Sequence, residues 1–424
     1  MRHVVATFVL IISTITVSAQ DPMQVRLADV CTMISGKSLR FDTVFTTEFL
    51  QKVPPMQLTM VVQQLTKESG GCVSTRIVES SGAFRAKAEA VTTNGYAIPI
   101  NISITEKPPH RIDGLFLKPP VKMSADLTTI MADLKKLPGS TSLYAKNLTT
   151  GKVIAQSDTA LYLPTGSSFK LWILGELTRS VIAGEHRWDE VVLLDSNRYS
   201  LPSGVMQSWP HGAPVTLHTL ASQMISISDN TATDLLLHHL GPEKVERMVA
   251  AMGHSKPEMN VPFMSTRQLF VLKFSDSARR AHTYLSLDQA QRRAMLDEIT
   301  RTVPLSAVNF IDTTVLPDKL EWFARTPDLV RTMDRLRILS EDPKAAPVRG
   351  ILSINPGVEV DAKTWKFIGY KGGSETGVLN MTYLLRHSSG EWYGLSVSWL
   401  RTDAAVDLMS FAGIVERAIQ LIAP

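Results

Sequence analysis

Cysteine is scarce in this 424-residue chain, which has only Cys31 and Cys72. Two is the number for one disulfide in an oxidising compartment, or for two buried free thiols, and no cysteine is left elsewhere to act as a nucleophile. Charge of one sign is never concentrated. The balance is 44 Lys+Arg against 40 Asp+Glu, or +4, with no run of five like charges, so a nucleic-acid partner or a polybasic membrane surface has no support. No apolar run after residue 19 approaches the ~20 residues of a membrane span, so no membrane association is expected of the mature chain. Hydrophobic residues at 44% and charged residues at 20% exclude a disordered, collagen-like or coiled-coil chain. Gly-x-Ser-x-Gly, His-Glu-x-x-His, a P-loop and a dinucleotide fingerprint are all missing. The ten histidines are scattered, and His238-His239, just before Gly241-Pro242, reads as a helix C-terminus rather than a metal site. No cofactor and no metal are called for.

What is present begins with a leader. Arg2 and His3 precede an apolar stretch from Val4 to Val17, and Val17-Ser18-Ala19 before Gln20 is a small-x-small cleavage site. The expectation is a signal peptide over residues 1–19 and a periplasmic or secreted mature protein. A length of two to three domains at about 150 residues each follows. Residues 20–106 read as a small α+β unit: helical stretches at Leu27–Val30 and Met56–Leu65, then strands at Val73–Val78, Phe84–Ala90 and Ile98–Ile104. Pro108-Pro109 and Pro119-Pro120 bracket a stretch that disfavours helix and resists sheet pairing, so 107–123 is expected to be a linker.

From Ser124 the pattern changes. An amphipathic helix over Ala125–Leu137 precedes a hairpin of Ser142–Lys146 and Lys152–Ser157 around Thr149-Thr150-Gly151. Residues 167–340 are mostly helical. Strands follow at Trp365–Lys371, Val378–Arg386 and Trp392–Leu400, then a helix over Ala404–Ile422. The fold class is therefore α+β: a sheet built from both ends of 124–424, packed by the first and last helices, beside a helical subdomain and across a cleft from it.

Three motifs fall at that cleft. Gly166-Ser167-Ser168-Phe169-Lys170 enters a helix, placing Ser167 where free backbone amides favour developing negative charge and Lys170 on the same face. A serine hydroxyl needs a base, and a lysine serves when burial and a nearby cation lower its pKa. Ser228-Asp229-Asn230 follows 61 residues after Ser167, and Lys371-Gly372-Gly373-Ser374 ends a strand. One Ser-x-x-Lys is expected by chance in such a chain; three motifs in this order are not.

This arrangement resembles the penicillin-recognising serine hydrolases and, within them, the class A β-lactamases, whose signature is Ser-x-x-Lys, Ser-Asp-Asn and Lys-Thr-Gly. Asn230-Thr231-Ala232-Thr233-Asp234-Leu235-Leu236-Leu237 and Arg325-Thr326-Pro327-Asp328-Leu329 look like that family too. The resemblance implies a β-lactamase/transpeptidase-like fold over 124–424. Ser167 would be the acylated nucleophile, Lys170 its base and Ser228 the proton relay. Asn230 would hold the substrate amide side chain and Lys170, and Lys371 the substrate carboxylate. Gly373 and Ser374 would line the substrate, with the amides of Ser167 and Ser374 as oxyanion hole. The partner implied is a small β-lactam-like or acyl-peptide-like molecule; nothing speaks to oligomeric state. By element order, residues 20–106 resemble a cystatin-like or nuclear-transport-factor-like domain, whose suggestive polar residues Asp42, Glu48 and Tyr96 read better as solvated surface.

Two departures stand out. The third motif has Gly372 where the family has a hydroxyl, at a position expected to point away from substrate. The deacylating glutamate of class A enzymes has no counterpart in 260–267, Asn-Val-Pro-Phe-Met-Ser-Thr-Arg. Glu258, Glu321 and Glu375 are the carboxylates available to replace it, each read more simply as surface. The stretch between Ser228 and Lys371 is about 40 residues longer than in the family, filled by 268–320 with helical stretches near Ala278–Arg280 and Gln289–Ile299. The expected function is serine hydrolysis of β-lactams with slow or unconventional deacylation; the alternatives are a D-alanyl peptidase or esterase, or a non-enzymatic β-lactam or peptidoglycan binder.

Overall fold

The computed structural model describes residues 21–123, 126–311, 313–358 and 360–423, so the leader expected over 1–19 lies outside the described residues. The chain divides into two compact units, parting between Met123 and Ser124.

The smaller unit opens with helix α1 (Pro22–Ile34), capped by the Asp21 carboxylate, which accepts from Met23 N–H. Two short helices follow, then α2 (Pro55–Ser69). The strands β1 (Cys72–Ser80), β2 (Arg85–Thr92), β3 (Tyr96–Ile104) and β4 (Ile112–Leu117) form an antiparallel meander in chain order, and β5 (Val121–Lys122) also pairs with β3. Every second residue of β2 is buried: Ala86, Ala88, Ala90 and Thr92. That apolar face joins one core with Leu27 and Val30 of α1 and Ile98, Ile100 and Ile102 of β3. Cys31 and Cys72 form a disulfide that ties α1 to the start of β1.

The 107–123 expectation is corrected here. Residues 112–117 and 121–122 pair with β3, with Ile100 opposite Leu117 and Ala97 opposite Val121. The two proline pairs fall before β4 and between β4 and β5, so they punctuate the strands without taking a ladder position.

In the larger unit, α3 (Leu127–Lys136) is capped by Asp126. The hairpin β6 (Ser140–Asn147) and β7 (Val153–Ser157) precedes the helical region, and β8 (Trp365–Glu375), β9 (Val378–His387) and β10 (Trp392–Leu400) come after it. The five strands make one antiparallel sheet, β8-β9-β10-β6-β7, closed by Ser140 opposite Leu400 and Asn147 opposite Tyr393. Chain ends therefore meet in the sheet, and β8 is an edge. The last helix (Leu408–Leu421) begins four residues later than Ala404, because Asp407 caps it through Met409 and Ser410 N–H. Its Phe411, Val415, Ala418 and Ile419 pack with Ile130 and Leu134 of α3 against Leu143, Tyr383, Leu385, Leu395 and Val397 of the sheet.

The other core is the helical region, built around the helix Lys170–Ile182, which is buried on nearly all sides for most of its length. The stretch 268–320 is packed into it: Leu269 and Leu272 of the helix Thr266–Phe274, and Leu296 and Ile299 of Gln289–Thr302, are core residues. None of the helices among the described residues is long and apolar enough to cross a membrane.

Reducing the Cys31–Cys72 bridge, which spans 41 residues, should cost the small unit about 4 kcal/mol in the chain-entropy picture. Denaturant unfolding with and without reductant reads this directly, and an unchanged midpoint would show that the bridge constrains nothing.

Candidate active site

Ser167 sits in a single 3-10 turn, Gly166–Phe169, that runs straight into the helix Lys170–Ile182. Its N–H lies among the first amides of a helical segment, which lack an intrahelical acceptor. Gly166 has φ +46°, and a Cβ there would fall 2.7 Å from Ser374 N. A Cβ on Gly373 would lie 2.4 Å from Ser167 N and 2.0 Å from Thr165 O. The turn and the edge strand β8 thus touch backbone to backbone, with glycine on both sides of the contact, and the amide nitrogens of Ser167 and Ser374 both lie next to it. β8 runs through Gly372, Gly373 and Ser374 to Glu375, so the third motif is strand throughout rather than the loop after one.

Lys170 is fully buried. Its Nζ donates to Asn230 Oδ1 (2.6 Å) and Ser228 O (2.7 Å) and stands 3.0 Å from Ser228 Oγ. Amide and carbonyl oxygens only accept, so two of these contacts consume N–H groups; the third direction can hold either a proton or a lone pair. Burial, then the Lys371 charge, push the Lys170 pKa well below its ordinary value, with Asp234 and Asp229 acting weakly the other way. Lys371 Nζ stands 3.1 Å from the same Ser228 Oγ and donates to Gly372 O, and burial pulls its pKa down to about 7. One hydroxyl therefore lies between two amines. Ser167 Oγ makes no hydrogen bond among the described residues.

Ser228 holds this position at a backbone cost. Its φ of +59° lies in the left-handed region that a non-glycine residue rarely occupies. What fixes it is a loop, residues 200–206, which Asp229 draws in: Asp229 Oδ2 accepts from Val205 N–H (2.7 Å) and Met206 N–H (2.9 Å), while Oδ1 caps Ala232 N–H. Ser203 Oγ then donates to Ser228 O, and Asn230 Nδ2 to Leu201 O, both at 2.7 Å. The Asn230 amide is thereby oriented with its oxygen toward Lys170. Of its two expected roles, the grip on Lys170 is visible, and one of its N–H groups is spent on the loop.

One turn along the helix Asn230–Leu240, buried Asp234 accepts from Thr266 N–H and Arg267 N–H (2.8 and 2.9 Å), which start the helix Thr266–Phe274; burial lifts its pKa to about 6. The stretch 260–267 is thus anchored at its end by Asp234. At its start, Asn260 acts as a spare peptide group, accepting from Phe323 N–H (2.9 Å) and donating to Phe323 O (3.0 Å). Phe323–Ala324 pairs with Leu163–Pro164, just before the Ser167 turn, and Trp322 stacks on Phe169 at 3.6 Å.

None of the three candidate carboxylates hydrogen-bonds to Ser167, Lys170 or Ser228 among the described residues. Glu258 is exposed. Glu321 and Glu375 are both committed to buried Lys273, whose Nζ reaches Glu321 Oε1 at 3.1 Å and both Glu375 oxygens at 2.7–2.8 Å. Burial opposes the Lys273 charge, but the two carboxylates hold its pKa above the ordinary value. Burial, with Glu375 beside it, pushes the Glu321 pKa well above the carboxyl range, although the Lys273 charge acts the other way.

Two features escaped the sequence reading. Ser168 Oγ donates to Asn380 Oδ1 (2.6 Å), and Asn380 Nδ2 donates to Ser398 Oγ (2.9 Å), a buried polar ladder from the turn across β9 to β10. In the sequence, Asn380 is only the first residue of an Asn-Met-Thr sequon. The second concerns Gly372: a Cβ there would lie 2.0 Å from Tyr370 Oη, so the tyrosine two residues back on the same strand face fills the space a hydroxyl side chain would need. A surface concavity of about 450 Å³ between Glu176, Arg179, Glu185 and Lys244 includes no residue of the three motifs.

This five-stranded sheet with its flanking helices, bearing a serine at a helix start, a buried lysine three residues on, Ser228 near it and a lysine on the edge strand, has the penicillin-recognising serine hydrolase-like fold. Residues 122–302 match the model of the Beta-lactamase2 family, described as a beta-lactamase enzyme family; the match takes in the Ser167 and Ser228 motifs and ends before Lys371. No curated protein matches significantly. Among solved structures, a beta-lactamase from Sphaerobacter thermophilus is 19% identical, with TM-score 0.49 over 69% of this chain and 94% of that one. A mutant of PBP-A in an acyl-enzyme complex with penicillin G is 16% identical, with TM-score 0.47 over 69% and 94%. A class A beta-lactamase from Mycobacterium abscessus is 15% identical, with TM-score 0.47 over 69% and 96%.

Gly373→Ala should slow acylation about 100-fold or more by forcing β8 away from Ser167 N, with the far-UV circular dichroism unchanged. Acylation at the wild-type rate would mean that this backbone contact is not the oxyanion site.

Proposed function

We propose that the protein is an exported serine hydrolase that opens β-lactams, or closely related amides and esters, through an acyl-Ser167 intermediate. The observation that carries the reading is the Lys170 amine: buried, beside a second cation, and held by two acceptors, with Ser228 Oγ 3.0 Å away in its remaining direction. Neutral Lys170 takes the Ser167 proton as Oγ adds to the substrate carbonyl carbon. The oxyanion is met by the amides of Ser167 and Ser374. As the C–N bond breaks, the nitrogen takes a proton from Ser228 Oγ, which is resupplied from Lys170. Lys371 in its charged form binds a carboxylate on the substrate; Asn230 orients Lys170 and offers its remaining N–H to a substrate carbonyl.

Deacylation needs a base for water. With 260–267 lacking a carboxylate and Glu321 and Glu375 held by Lys273, the acyl-enzyme should persist. That favours, as the second reading, a penicillin-binding peptidase or a β-lactam or peptidoglycan sensor using the same acylation parts.

Intact-protein mass, followed over time after adding a penicillin or a cephalosporin, should show one adduct that clears slowly, and none on the Ser167→Ala variant. An adduct on the variant would sink the assignment; a permanent adduct on the wild type selects the second reading. No adduct, with Ser167-dependent ester cleavage, would move the substrate class.

The pH profile follows from the two lysines. Acylation should fall at low pH as Lys170 gains a proton, and KM for an anionic substrate should rise above about pH 7 as Lys371 loses its own. Lys371→Met removes a cation that holds Lys170 down, so the acid limb should move to higher pH and the KM change near neutrality should vanish. An unmoved acid limb would show that burial alone sets Lys170.

A further inference from the structure

Away from Ser167, imidazole and carboxylate groups from two segments, 186–190 and the helix ending at Leu240, converge among the described residues at His186, Glu190 and His239. His186 follows the helix Lys170–Ile182. Glu190 directly precedes the strand Val191–Leu193, and its carbonyl accepts from Leu217 N–H at 2.9 Å. His239 is in the last turn of the helix Asn230–Leu240. Glu190 lies between the two rings: its Oε2 is 3.0 Å from His186 Nδ1 and its Oε1 is 3.0 Å from His239 Nε2. The ring centroids are 4.9 Å apart.

We propose that His186, Glu190 and His239 bind a transition-metal ion of the zinc type, with water completing the coordination. Two imidazoles and one carboxylate form a mixed nitrogen and oxygen set, which suits Zn2+ and not the all-oxygen preference of Ca2+ or Mg2+. Around a tetrahedral ion with bonds of about 2.0–2.1 Å, neighbouring ligand atoms stand roughly 3.3 Å apart. The two nitrogen–oxygen pairs here are at 3.0 Å, and all three donor atoms lie within 4.8 Å of one another. Without metal the carboxylate takes an N–H from each ring; with an ion between them each neutral ring turns a lone pair inward and carries its one proton on its other nitrogen. The side chains are 16%, 32% and 23% exposed, enough to admit an ion and a water.

The position on the helix adds an electrostatic reason. The last turn of Asn230–Leu240 carries the negative end of its dipole, where a cation is stabilised. Neighbouring His238 is not part of the set, because Arg198 Nη1 stands 3.2 Å from its Nε2, and burial together with that charge pulls its pKa to about 4. The ion would tie the far end of the helix that begins at Asn230 to the 186–190 segment. Its role is mechanical, so the proposal does not rest on the acyl chemistry.

The test uses the full chain, stripped with a chelator and titrated with Zn2+, Ca2+ and Mg2+ by isothermal titration calorimetry and native mass spectrometry. One equivalent of Zn2+ should bind and raise the thermal midpoint, with no comparable effect of Ca2+ or Mg2+. Glu190→Gln, close to isosteric, and His239→Ala should each weaken Zn2+ binding roughly tenfold or more, and the metal-free midpoint of each variant checks folding. Absence of Zn2+ uptake by the wild type, uptake unchanged in Glu190→Gln, or equal binding of Ca2+ would each overturn the proposal.

Discussion

An amine buried without a carboxylate in hydrogen-bonding contact is the constraint around which the rest of the site is arranged. Lys170 is held by neutral oxygens of Ser228 and Asn230, and no counter-ion touches it among the described residues, so the protein favours its uncharged form. Keeping those oxygens in place requires a left-handed serine, and a left-handed serine requires a clamp. The buried Asp229 carboxylate supplies that clamp by gathering three backbone N–H groups from the 200–206 loop and the helix start. Negative charge is thus spent on backbone at one remove from the lysine, where it fixes geometry without pairing with the amine.

The same economy appears on the far side of the cleft. Asp234, Asn260 and Lys273 are buried polar groups whose partners are chain ends, strand edges and other side chains rather than anything in the cleft. Together they bind the long 260–325 excursion back to the Ser167 turn. The buried carboxylate of that excursion, Glu321, is held by Lys273 within the packed helical region.

Much of this was legible in the sequence, and the exceptions have a common cause. The alternation of β2, the strands from Trp365 onward and the helix after Lys170 follow from local periodicity. The three motifs announce the site because each is a short string. What stayed hidden depends on residues distant in the chain meeting in space. Asn380 means nothing until β9 brings it under Ser168. His239 reads as a cap until the 186–190 segment is seen beside it. The proline pairs around β4 look like a linker because a proline's penalty is read locally, whereas the strand between them owes its existence to β3. Gly372 looks like a lost hydroxyl until Tyr370 is found in its place.

That last pair has a consequence for how the chain can change. Position 372 cannot regain a side chain while Tyr370 stands two residues behind it, and shrinking Tyr370 first would open a hole against Tyr383, 4.8 Å away ring to ring, and Gly357. The two substitutions are passable only together or in one order. A hydroxyl side chain at this position of the third motif is therefore tied to a change at Tyr370, outside the motif itself.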